Sequence, residues 1–143
     1  MSVPVQFASP MADISFLVAR VLFGTVIAFM GGNHFMNTDQ MTGYAEMKGL
    51  PAPRLGVIGS GALLVFSGLG IAAGVFPGLA AGAIALFLLV STPMFHNFWA
   101  VPEDQQQSEM TDFLKNVVML GGALVFLSLS AVPWPYAIGL TAF

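Results

Sequence analysis

Residues 55–97 read LGVIGSGALLVFSGLGIAAGVF-PG-LAAGAIALFLLVSTPMFHN, two apolar runs meeting at Phe76-Pro77-Gly78. Each run is about 20 residues long, enough to cross a hydrocarbon layer of roughly 30 Å as a helix. In lipid every backbone polar group must bond inside its own segment or close into a barrel. These runs do not alternate in the way barrel strands do, so they are read as helices. A Phe-Pro-Gly connection is too short for anything but an antiparallel pair.

Two more runs flank this pair, giving spans at about 14–35, 55–76, 79–97 and 113–132. The expected fold is all-α, an up-and-down bundle of four transmembrane helices in a single domain over residues 1–143. The protein is then multi-pass, in the cell membrane, with lipid as its main partner. Composition agrees. The chain is 57% hydrophobic and only 8% charged, with a mean hydropathy of +0.84. A soluble domain carries about a quarter charged residues. Cysteine is absent, which removes disulfides and thiolate chemistry, and a net charge of −3 gives no nucleic-acid signal. Met1 to Ala12 lack the basic start of a secretory signal and are expected to form a short tail.

Four passes sort the connections onto two faces. The tail, the 76–78 turn and the C-terminus share the first face; Met36–Arg54 and Phe98–Asp112 share the second. Trp134 and Tyr136 mark one interface, and Tyr44, Phe98 and Trp99 the other. Ala100 to Asp112 reads as a solvated loop. Met41, Tyr44 and Met47 suit a short surface helix or an irregular loop equally. Pro133 to Tyr136 end the fourth span, and Ala137 to Phe143 lie at the interface or pack back on the bundle. Lys48, Arg54 and Lys115 outnumber Arg20, which places the second face in the cytoplasm.

Burial against lipid cannot drive helix association, so small residues must allow close packing. Gly24, Ala28 and Gly32 repeat every four residues in the first span. Gly70/Gly74 and Gly78/Gly82 flank the tight turn, and Gly121-Gly122-Ala123 occur in the fourth span. Such a stripe serves intramolecular packing or a homo-oligomer face.

Polar groups at membrane depth need a reason. Arg20 pairs with Asp13 on its own helix, snorkels to the headgroups, or holds an anionic or carbonyl-bearing ligand. The first span ends Asn33-His34, and the third ends His96-Asn97 after Pro93, which should kink the helix and free the Leu89 carbonyl. The fourth begins with Lys115-Asn116. Three readings of this second-face group stay open: interfacial caps, a pocket for a quinone-like head group with histidine moving a proton, or ligation of a metal or haem iron by His34 and His96. Two histidines are few for zinc, and haem is the least favoured cofactor. No phosphate loop, dinucleotide motif or nucleophile elbow is present.

The chain resembles the DoxX family of small four-helix membrane proteins over about Ile14 to Val132. The resemblance is carried by Ala19-Arg20-Val21-Leu22-Phe23-Gly24, Gly31-Gly32, Gly49-Leu50-Pro51, His96-Asn97-Phe98-Trp99, and Phe113-Leu114-Lys115-Asn116 followed by Gly121-Gly122. Many members have a lysine near the end of the first helix, where this chain has Asn33-His34. The resemblance implies a role beside membrane-bound redox complexes, since relatives include the membrane subunit of a thiosulfate:quinone oxidoreductase. The first expectation is therefore a membrane component of a quinone-linked redox system, binding a quinone or a redox partner. The second is a scaffold that anchors a soluble partner through acidic loops bearing Asp39, Glu46, Glu103, Asp104, Glu109 and Asp112. The third is an oligomeric small-solute transporter.

Overall fold

A computed structural model describes residues 9–140. Ser9 caps the first helix, α1 (Pro10–Met36), its hydroxyl accepting from the Ala12 N–H at 3.1 Å. Pro10 occupies the first turn and Asp13 faces the positive helix end, both favourable there. A short helix, α2 (Thr38–Met47), follows after Asn37. Then come α3 (Pro53–Ala73), α4 (Pro77–Phe95), a single 3-10 turn at Phe98–Ala100 and α5 (Glu103–Ser128). The long helices α1, α3 and α5, and α4 with its following turn, are the four long apolar segments fit to cross a membrane. Together they form the expected up-and-down bundle.

The boundaries differ from the sequence reading where polar chemistry decides them. Gly74 adopts a left-handed backbone (φ 71) that ends α3, so Val75 and Phe76 belong to the turn. The segment Glu103–Asp112 is helical rather than a loop. Pro102 sets its start, and Glu103 and Asp104 sit in the first turn, where the helix dipole favours acidic side chains. α5 therefore rises out of the bundle as a polar helical stub before it becomes apolar. Residues 38–47 adopt the surface helix, with Ala45 buried beneath it. α4 continues through Pro93 to Phe95. The tail is described only from Ser9 onward, and residues 141–143 of the C-terminal segment lie outside the described residues.

α1 packs along α3, α3 against α4, and α4 against α5. The fourth side closes through rings: Phe126 of α5 meets Phe16 at 5.7 Å and Phe23 at 5.1 Å, centroid to centroid. The core is aliphatic, with Ile27, Leu64, Ile71, Ile84 and Leu88 almost wholly enclosed. The outer surface is apolar too. Phe66 is 74% exposed and Val118 75%, which water would penalise and lipid would not.

The closest approach is the α1–α3 seam. A Cβ on Gly68 would come 2.5 Å from the Gly24 carbonyl oxygen, and one on Gly24 would fall on the Gly68 carbonyl. About two turns further along α1, a Cβ on Gly31 would meet the Gly61 carbonyl oxygen at 2.7 Å. The facing residues are thus Gly24 with Gly68 and Gly31 with Gly61, seven apart on each helix. Gly32 and Gly82, which the period-four stripe includes, face open space. Gly70 does pack across the tight turn: a Cβ there would come 3.1 Å from the Ala80 Cβ.

Gly68→Ala should therefore cost about 1–3 kcal/mol, the range for overpacking a filled interior. Gly32→Ala should be neutral or stabilise slightly, because alanine is the better helix former. Thermal unfolding of both variants in mild detergent checks this. Equal midpoints for the two would remove the seam from the account.

Candidate functional site

Arg20 is completely buried in the first-face half of the bundle. A buried guanidinium needs acceptors for its protons. It does not take Asp13. Nη1 donates to the Pro135 carbonyl at 2.5 Å, and Nη2 donates to the carbonyls of Tyr136 at 2.9 Å and Ala72 at 3.3 Å. Trp134 and Phe16 flank the cation, their ring centroids 5.5 and 5.8 Å away. The C-terminal segment folds back to supply this cage. Ile138 N–H bonds the Ala73 carbonyl, Gly139 N–H the Gly74 carbonyl, and Phe76 N–H the Leu140 carbonyl at 2.6 Å. Those contacts hold the α3–α4 turn, where Phe76 takes an uncommon positive φ of 45. The carbonyl-bearing group around Arg20 is thus the chain's own backbone. Asp13 fails as partner because it sits in the first turn at the helix end, while the unpaired carbonyls lie beside Arg20.

The two Asn-His pairs share the second face but not one site. His34 Nδ1 lies 3.1 Å from the Val57 carbonyl and 3.0 Å from the Ser60 hydroxyl, so it serves the α1–α3 seam. Asn33 is exposed and accepts from the Asn37 side chain at 2.5 Å. His96 turns the other way, with Nδ1 2.9 Å from Glu109 Oε2 of α5. Glu109 Oε1 accepts from the Tyr44 hydroxyl at 3.4 Å, and that hydroxyl also donates to the Phe95 carbonyl at 2.8 Å. Asn97 Oδ1 accepts from Lys48 Nζ at 2.6 Å, with the ammonium over the Tyr44 ring. Lys115 is exposed and Asn116 half-buried, and no hydrogen bond joins either to this group.

Three elements therefore converge: the C-terminal end of α4, the inward face of α2, and the first third of α5. Beside them Phe98, Trp99 and Phe113 meet edge to face, with centroids 5.2–5.9 Å apart. The His96 and Glu109 side chains keep only 26% and 18% exposure. The result is a hydrogen-bonded group, Tyr44–Glu109–His96, under partial cover at the membrane face. Burial holds the Tyr44 phenol protonated above its ordinary range, and the neighbouring charge of Glu109 pushes it further the same way.

Sequence reasoning placed His96 and Asn97 here but missed Glu109, Asp112 and Lys48 as members. The signal was available. Glu109 and Asp112 stand three apart, a helical spacing, in a stretch opened by Pro102 and two acidic residues.

A model of the DoxX family matches residues 15–97, more than half the chain. No curated protein and no solved structure matches. The matched segment holds Arg20, His34, Tyr44 and His96, whereas Glu109 lies beyond it.

In a Tyr136→Phe protein Tyr44 is the sole tyrosine, and its ionisation can be followed by ultraviolet absorbance. The midpoint should lie above the ordinary 10.0. Glu109→Gln should lower it without fully restoring that value, because burial is the larger cause. Since the folded state holds this proton more tightly, Tyr44 contributes its full stabilisation below the unfolded value. That contribution fades as pH rises through the folded one. A midpoint at or below 10.0 would contradict the arrangement.

Proposed function

Because the chain belongs to the DoxX family of membrane proteins, we propose that it is the membrane component of a quinone-linked redox system, seated in the cell membrane with its second face toward the cytoplasm. The observation that carries this reading is the Tyr44–Glu109–His96 chain beside the Phe98–Trp99–Phe113 rings. A quinone head group is planar and carries two carbonyl oxygens. Reduction to the quinol takes two electrons and two protons. Aromatic edges suit the ring, and His96 with Glu109 suits hydrogen bonding and proton delivery to a carbonyl oxygen. An isoprenoid tail would run into the lipid that surrounds the bundle. The electrons would come from a redox protein docked at this face.

One observation favours the anchor reading as a second. The start of α5 projects Glu103 and Asp104 into solvent, which suits a basic partner surface. Glu109 and Asp112 are turned inward and are less available for that purpose.

Short-tailed quinone titrated into nanodisc-embedded protein should quench tryptophan fluorescence. His96→Gln and Glu109→Gln should each weaken binding by roughly 10–100-fold, the loss of a charge-assisted hydrogen bond. His34→Gln should change it little. Binding that survives both site substitutions but falls with His34→Gln would overturn the reading.

A further inference from the structure

Glu109 and Asp112 share one face of α5, three residues apart. His96 ends α4 against that face, its backbone leaving the helix at φ −119, ψ 47. One ligand atom from each of His96, Glu109 and Asp112 lies within 4.8 Å of the other two, and all three residues are half-buried. The charge around them does not balance. Two carboxylates meet one imidazole, and among the described residues no lysine or arginine pairs with either. Lys48, on the adjacent α2, donates to Asn97 instead. Both carboxylates push the Tyr44 phenol toward its protonated form, so their joint field is felt across the site.

We propose that His96, Glu109 and Asp112 bind a first-row divalent cation of the zinc or manganese class at the second membrane face. One imidazole nitrogen with two carboxylate oxygens is a ligand set these ions accept, with water or another oxygen completing the shell. Ligands about 2.1 Å from a tetrahedral ion stand about 3.4 Å apart. His96 Nδ1 and Glu109 Oε2, 2.9 Å apart, are already near that spacing. Asp112 needs to close by at most about 1.4 Å, within the reach of a rotamer change on a fixed helix. The Tyr44 hydroxyl, bonded to the free oxygen of Glu109, would orient that carboxylate toward the ion. The cation would take the place of the direct His96–Glu109 contact. This inference does not rest on the quinone reading, in which Asp112 has no part.

The test uses the full chain without a histidine tag, in lipid nanodiscs, titrated with Zn2+ and then Mn2+ against a fluorescent chelator. The expected result is one ion per chain. Affinity should fall roughly tenfold or more in Asp112→Asn and in His96→Gln, and hold in Lys115→Ala. Absence of saturable uptake of either ion by the unaltered protein overturns the proposal, whatever the variants do. So does wild-type affinity in both Asp112→Asn and His96→Gln. Quinone binding that fails while metal binding holds would remove the quinone reading alone.

Discussion

Water does not reach most of this chain, so each backbone N–H and C=O between the membrane faces must find its partner inside the protein. That constraint makes the spans helical. It also denies them the usual force for assembly, since a leucine gains nothing by leaving lipid for another helix. What remains is contact at short range. The α1–α3 seam supplies it: Gly24 against Gly68 and Gly31 against Gly61 bring two backbones closer than any side chain would permit. α4 and α5 then complete the bundle through aliphatic packing and the ring cluster of Phe16, Phe23 and Phe126.

The same constraint explains the difference between the two ends. At the first face Arg20 brings an unremovable charge into the bundle, and the chain answers with carbonyls from its own C-terminal segment. The Phe16, Phe126 and Trp134 rings close around it. That end is sealed. At the second face the polar groups stay half-exposed. Tyr44, Glu109 and His96 are hydrogen-bonded in a chain, and two carboxylates face one imidazole. A site that must exchange protons or ions with water has to be incomplete in this way.

The four spans were legible because length and hydropathy follow directly from bilayer thickness. The seam was legible only in part. A period-four stripe picked out Gly24 and Ala28, but α1 and α3 meet with a period of seven. Gly31 therefore makes the contact in place of Gly32, and its α3 partners, Gly61 and Gly68, were not picked out. The stripe could not show this because one residue turns a helix by about 100°. The Asn33-His34 and His96-Asn97 pairs misled for the same reason. They end helices on one face, yet rotation points His34 into α3 and His96 toward α5. The partner of Arg20 was beyond local reading altogether, being a carbonyl 115 residues away in sequence. Glu109 was hidden by reading a polar, glutamine-rich stretch as a loop, although its proline and acidic opening mark a helix start.

Two pairs of glycine backbones touch inside the lipid-embedded bundle. Solid-state NMR of glycine-labelled protein in lipid bilayers measures that contact directly. Carbon–carbon cross-peaks are expected between Gly24 and Gly68 and between Gly31 and Gly61, with none linking Gly32 or Gly82 to another span. Helical signals for both α1 and α3 without those cross-peaks would contradict it.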